Sequence, residues 1–419
     1  VFIAVQQLSA QSTPAPQLPC SDCCPNPPCE IEPPPGQVPA LRGVFYYPWW
    51  DGWDASRQKA NAKWSECIQV NQSNSQLDAC GRPMVSDAEY WSTRVYLQPD
   101  IDSNGVFQPY TDLYDDRNGA VQTLQFWRMR QEWVNLAIFS WWGRRDQKSA
   151  CKYDWSPNCK FYHTLQRAMG YVGVSPYLEP RYRCPVNPRD PDQRICICQH
   201  DNEACIREEI RRDVELLVKD FVNTGAFDWM GDQNPRPVFF AYIGSIGTCT
   251  DVGYLKQALD YVQANYGVRP FVFLDMGGDV TPSCSYATPN DFAFHVYDPT
   301  RANGTAREYY GEAKRGSTIE SITVRAGFFR CRCTDDQITH GRCNMNYYPC
   351  KAFSNINDVK SVSAFQQALA TAISKNPKYF VLITSWNEWL EGTPVEPGVQ
   401  WWSPSGLGMF GDVMQTLRP

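Results

Sequence analysis

From residue 41 onward the chain alternates short apolar runs with longer stretches in which charged and apolar positions recur at helical spacing. The runs Gly43–Pro48, Val134–Trp141, Gly173–Glu179, Pro237–Tyr242, Pro270–Asp275, Phe292–Tyr297, Ile322–Gly327 and Tyr379–Ser385 read as strands, separated by intervals too long for hairpins. Helical patterns cover Ala120–Glu132, Ala204–Asn223, Asp251–Asn265 and Val362–Lys375. Eight buried strands, most followed by a helix, predict an α/β fold of the (β/α)8 TIM barrel type, enlarged by long loops. A doubly wound open sheet is the runner-up, and the lack of a glycine-rich turn after the first strand weighs against it. The glycine pattern Gly406-Leu-Gly-Met-Phe-Gly411 comes too late in the chain for a dinucleotide fingerprint and reads as a loop entering the last helix.

Residues 12 to 40 break this pattern. They are crowded with proline, which fixes the backbone and removes donors, so they read as an extended tail. The expected division is a Pro/Cys-rich N-terminal extension over 1–40 and a barrel over 41–419, with the extension offering a route to self-assembly. The opening "VFIAVQQLSAQ" resembles the end of a signal peptide's apolar region and reads equally well as a mature N-terminus. No run of 18 apolar residues occurs, so no membrane span is expected.

Cysteine changes the picture most. Eighteen cysteines lie at short separations, as in Cys67 with Cys80, Cys151 with Cys159, Cys184 through Cys205 and Cys331 through Cys350. Such spacing predicts local disulfides that staple the loops in an oxidising, secretory or extracellular setting. Two glycosylation sequons, Asn71-Gln-Ser73 and Asn303-Gly-Thr305, fit the same route and predict a secreted glycoprotein. Zinc is the weaker reading of Cys20, Cys23, Cys24 and Cys29, because no quartet has regular ligand spacing and the chain holds only four histidines. Neither a metal nor a cofactor is expected.

Charge narrows the partners. With 39 basic against 45 acidic side chains the chain has no global attraction for nucleic acid. Its 15 Trp and 22 Tyr suit sugar faces as well as a large aromatic core.

In a barrel the active site sits at the C-terminal ends of the strands. Those ends carry Tyr46, Tyr47, Trp49 and Trp50, then Trp141 and Trp142, Glu179, Tyr242, Asp275, and finally His295, Tyr297 and Asp298. After the eighth run come Asn387, Glu388, Glu391 and Glu396, in the stretch "ITSWNEWLEG" and just beyond it. Aromatic side chains around several carboxylates match glycosidic cleavage, in which one carboxyl protonates the leaving oxygen and another acts as base or nucleophile. Positions i and i+3 of a strand face opposite ways, so Glu388 and Glu391 converge on one substrate only if the chain turns between them.

The segment "ITSWNEWLEGTPVEP" resembles that around the catalytic acids of the endo-acting α-mannosidases and α-mannanases of glycoside hydrolase family 99. "GVFYYPWW", "AIFSWWG", "VSPYLEP" and "PRPVFFAYIG" are similar to the family's first four strands, so the resemblance covers most of residues 43 to 400. It implies retaining cleavage of internal α-mannosidic bonds by way of an anhydro-sugar. Glu388 would assist the substrate's own 2-hydroxyl and Glu391 would serve as general acid and then base. Tyr46 and Glu179 would bind substrate hydroxyls. The pattern departs from the family where Tyr242 is followed by Ile243 and Gly244 instead of an acid, and where Gly327-Phe-Phe-Arg-Cys331 replaces a Gly-Pro-Gly-Tyr type of turn. The expectation is a secreted endo-acting glycoside hydrolase with a carbohydrate substrate. Two other readings stay open. One is a non-catalytic extracellular carbohydrate-binding or structural protein on the same barrel. The other is a protein of polysaccharide synthesis, against which the export signals argue.

Overall fold

The computed structural model describes residues 41–47, 53–54, 59–60, 119–143, 164–165, 167–184, 196–222, 229–230, 235–276, 282–297, 309–327, 361–387, 395–396, 403, 405 and 407–417. Each of the eight expected runs contains a strand. We label them β1 (Leu41–Tyr46), β2 (Leu136–Trp141), β3 (Gly173–Leu178), β4 (Arg236–Ala241), β5 (Phe271–Asp275), β6 (Phe292–His295), β7 (Thr318–Arg325) and β8 (Phe380–Thr384). Their order in the sheet follows their order in the chain, with β8 returning beside β1, and every one of these pairings is parallel. This is the order of a TIM-like barrel, with the ring nearly closed. Strands covered on both faces carry apolar residues at nearly every position, which is why the runs stand out in the sequence.

The backbone ladder is interrupted between β6 and β7. There an additional strand, Tyr310–Arg315, turns back through Gly316 and pairs antiparallel with β7. Side chains satisfy the exposed backbone edge of β6. Glu320 Oε2 accepts from the Phe294 N–H at 2.8 Å, Ser321 Oγ donates to the Phe294 carbonyl at 2.8 Å, and Arg315 donates to the Phe292 and Ala287 carbonyls. A buried strand edge left without such partners would be destabilising.

Among the described residues five α-helices flank the sheet: α1 (Gly119–Gln131), α2 (Glu203–Leu216), α3 (Cys249–Tyr266), α4 (Val362–Lys375) and α5 (Gly408–Thr416). Local sequence sets their ends. The side chains of Asn202, Thr248 and Ser361 accept from N–H groups in the first turns of α2, α3 and α4. Gly267 ends α3 in the left-handed conformation. Gly408 and Gly411 of the late glycine pattern lie within α5 itself, and Gly406 lies outside the described residues.

Among the described residues the buried apolar side chains separate into two clusters. One fills the barrel interior with Phe45, Ile138, Tyr177, Phe240, Phe273 and Leu382 among others. The larger one lies between strands and helices and includes Tyr46, Phe139, Trp141 and Trp386.

Three disulfides are formed among the described residues. Cys184–Cys196 and Cys198–Cys205 are the local pairs expected of that cysteine cluster. Cys249–Cys284 spans 35 residues and ties the start of α3 to the segment before β6. The expected pairs Cys67–Cys80 and Cys151–Cys159, the Cys331–Cys350 cluster, both sequons and residues 1–40 lie outside the described residues. Among the described residues no helix is long and apolar enough to cross a membrane.

Candidate functional site

Strand alternation decides which strand-end residues meet. Successive side chains point to opposite faces, so only every second residue reaches the barrel interior. In β1, Phe45 and Tyr47 belong to the interior cluster while Val44 and Tyr46 belong to the outer layer. The same alternation places Ser140, Glu179, Tyr242, Asp275, Tyr297, Arg325 and Thr384 with Tyr47 at the C-terminal end of the interior.

These residues are joined by contacts. The Tyr47 hydroxyl donates to the Tyr297 hydroxyl at 2.6 Å. Ser140 Oγ donates to Glu179 at 2.9 Å and accepts from the Trp142 indole N–H at 3.0 Å. Asp275 accepts from the Tyr297 backbone N–H at 3.3 Å, and Thr384 Oγ1 donates to the Tyr297 carbonyl at 2.8 Å. Below them Tyr177 packs its ring 5.8 Å from Tyr297 and 5.9 Å from Tyr242, centroid to centroid. Two carboxylates, Glu179 and Asp275, thus sit in a mouth built largely of tyrosine. Among the described residues no group of three or more His, Cys, Asp or Glu side chains could hold a metal ion.

The chain leaves β8 at the rim of this mouth. A cis peptide joins Thr384 to Ser385. Trp386 N–H donates to the Phe45 carbonyl at 2.7 Å, and Asn387 is held by Tyr47 through two hydrogen bonds. Val395 and Glu396 return to the same place, their N–H groups donating to the carbonyls of Ser385 and Trp386 at 2.9 and 3.0 Å. Glu388 and Glu391 fall between these two anchored ends, outside the described residues, as does Trp49.

Four expected substrate contacts are placed elsewhere. Tyr46 and Trp141 are buried in the layer between strands and helices, because alternation turns them outward. The Tyr46 hydroxyl donates to Gln125 Oε1 of α1 at 2.6 Å, and Gln125 Nε2 donates to Glu396 at 2.8 Å. Glu396 is therefore a fully buried partner of α1 and does not face the mouth. His295 lies one step below the mouth, fully buried, with Nε2 at 3.3 Å from the Ala241 carbonyl. Burial lowers its pKa to about 3, so the ring is neutral.

Sequence reading missed a second polar assembly behind β1. Arg42 is fully buried and donates to the carbonyls of Glu132, Met414 and Leu417, which clamps the end of α5 to the end of α1. Glu132 is also fully buried, and neither carboxyl oxygen has a hydrogen-bond partner. Burial pushes its pKa well above the usual range, against the pull of Arg128 and Arg42. Gly411 permits the approach of α5, since a Cβ there would lie 2.6 Å from Glu132 Oε1. Neither the helical periodicity leading to Glu132 nor the place of Arg42 at the start of β1 distinguishes these buried charges from solvated ones.

No family model matches the chain, and no curated protein does. Two solved structures of the GH99 endo-alpha-mannosidase from Bacteroides thetaiotaomicron are similar to it. One is 15% identical over 85% of this chain and 87% of that chain, with a TM-score of 0.43. The other, in complex with bis-tris propane, is 14% identical over 86% and 88%, with a TM-score of 0.46.

Proposed function

We propose that this protein is a secreted, retaining, endo-acting glycoside hydrolase that cleaves α-mannosidic or related linkages in a polysaccharide or glycan. The observation that carries the reading is the seat of Asn387. This residue opens the segment Asn387-Glu-Trp-Leu-Glu391, and its side chain is fixed to the backbone of Tyr47 at the rim of a mouth that already holds Glu179 and Asp275. Glu388 follows Asn387 directly in the chain.

In this reading Glu388 assists attack by the substrate's 2-hydroxyl on its own anomeric carbon, and Glu391 protonates the departing oxygen. Glu391 then takes a proton from the water that opens the anhydro-sugar. Tyr47, Trp142, Glu179, Tyr242 and Tyr297 contact the sugar, and Asn387 positions the catalytic segment. Glycoside chemistry of this kind needs two carboxyls acting on one bond and no cofactor. The disulfides support an oxidising compartment.

The test is incubation of the purified protein with a panel of α-mannans and mannose-rich glycans, followed by measurement of product chain length and anomeric configuration. Internal cleavage with retained configuration is expected. Binding of the panel without any cleavage would instead favour a carbohydrate-binding protein on the same barrel.

A further inference from the structure

The buried polar atoms without partners are informative at one place in the barrel interior. Tyr177 is 1% exposed, and its hydroxyl has no hydrogen-bond partner. A buried donor without an acceptor is destabilising unless something else supplies the acceptor. Its ring is fixed by Phe45 at 4.9 Å, Tyr297 at 5.8 Å, and Tyr242 and His295 at 5.9 Å, so the hydroxyl cannot swing away to find one. The groups that act on it electrostatically are Asp275, Tyr47, Glu179 and Tyr242, the lining of the mouth. Burial first, and these groups after it, raise its pKa well above the ordinary phenol value, so it keeps its proton. A second unpartnered atom lies beside it. With Nε2 of His295 directed at the Ala241 carbonyl, Nδ1 is left as an acceptor without a donor.

The chemistry of this floor selects a ligand class. Among the described residues of the mouth, two carboxylates against the single guanidinium of Arg325 disfavour an anion. A cation would meet the carboxylates but would leave the Tyr177 donor unused. A neutral polyhydroxylated molecule supplies an acceptor oxygen to Tyr177, hydroxyl donors to the carboxylates and a C–H face to the tyrosine rings. We propose that Tyr177 is a sugar-positioning residue whose hydroxyl donates to an oxygen of the pyranose bound in the barrel mouth. This deepens the glycosidase reading and rests on its carbohydrate half alone.

Tyr177→Phe removes the oxygen and keeps every ring contact. Calorimetric titration with α-linked manno-oligosaccharides is run on wild type and variant, with product analysis on the same samples. The variant is expected to bind about tenfold more weakly, with an unfolding midpoint no lower than that of wild type, because it loses an unpaired buried donor. Equal affinity in the two proteins overturns the proposal. Wild-type binding without hydrolysis, weakened in the variant, supports the role of Tyr177 and overturns the hydrolase reading. Absence of wild-type binding overturns both. Should the variant fail to fold, wild type carrying isotope-labelled tyrosine gives the same answer. The Tyr177 ring resonance shifts on titration with the oligosaccharide if the hydroxyl engages it, and an unmoved resonance overturns the proposal.

Discussion

Tyr47 and Asn387 hold each other by two hydrogen bonds across 340 residues of chain: the Tyr47 N–H donates to Asn387 Oδ1 at 2.8 Å, and Asn387 Nδ2 donates to the Tyr47 carbonyl at 3.0 Å. The amide side chain acts as one more rung of the sheet, extending the β1–β8 pairing beyond the point where the strands part. Asn and Gln carry a carbonyl acceptor and an NH2 donor on one planar amide, as the backbone peptide does, and Asn has the shorter reach. Asn387→Asp replaces the donor with an oxygen facing a carbonyl. It is expected to lower stability by about 1–3 kcal/mol in denaturant unfolding and to reduce hydrolysis, with Asn387→Ala close behind. An unchanged midpoint and rate in Asn387→Asp would contradict a positioning role.

The neighbouring residue grips the other end of the same segment. Tyr46 reaches Glu396 through Gln125, all three buried, and Glu396 supplies an acceptor oxygen to the Gln125 amide. Glu396→Gln, which keeps such an oxygen, is therefore expected to retain most of the stability, whereas Glu396→Leu leaves the Gln125 amide without its acceptor and loses about 1–3 kcal/mol. Tyr46→Phe is expected to lose about 1 kcal/mol. Equal losses in Glu396→Gln and Glu396→Leu would show that the contact is not what holds this side chain.

The fold was far more legible than the site, for a physical reason. Strands buried on both faces write themselves as continuous apolar runs, and helices such as Val362–Lys375 as periodic ones. The strand Tyr310–Arg315 was missed because it mixes Glu, Lys and Arg with Ala and Gly on an edge. At the strand ends, adjacent residues were grouped where alternation separates them. Tyr46 and Trp141 therefore entered the candidate site although they face the helices, and Tyr177, two residues before Glu179 and on its face, was passed over. Counting back in steps of two from Glu179 would have found it. Buried Gln125, Arg42 and Glu132 had no such signal, because a polar residue along a helix or, like Arg42, at the start of a strand reads as solvated until its neighbours are known.

His295 and Glu132 bias the pH dependence of stability in opposite directions. Burial lowers His295 from 6.5 to about 3, so between these values the unfolded chain binds a proton that the folded one refuses. Its contribution is present above pH 6.5 and is lost as the pH falls toward 3. Burial raises Glu132 well above 4.5, so its contribution is full below 4.5 and is lost as the pH rises through the folded value. In denaturant unfolding from acid through neutral pH, His295→Phe is expected to flatten the acid side. Glu132→Gln is expected to gain on wild type as the pH rises. Curves for both variants parallel to wild type would contradict these assignments.

The three disulfides differ in the length of chain they close. In the chain-entropy model the 35-residue Cys249–Cys284 loop contributes about 4 kcal/mol, against about 2–3 kcal/mol for Cys184–Cys196 and Cys198–Cys205, which close 12 and 7 residues. Peptide mapping without reduction is expected to recover these three linkages. Replacing both Cys249 and Cys284 by Ala is expected to lower the unfolding midpoint more than replacing either of the other pairs. Free thiols at these six positions would contradict the pairing.

The catalytic assignment stands or falls on Glu391. The most direct measurement is the rate of α-mannan cleavage by wild type and by Glu391→Gln, which is nearly isosteric but cannot donate a carboxyl proton. Loss of a positioned general acid is expected to slow cleavage by about 10²–10⁴-fold, most severely for substrates with poor leaving groups. Cleavage by Glu391→Gln at the wild-type rate would contradict the account.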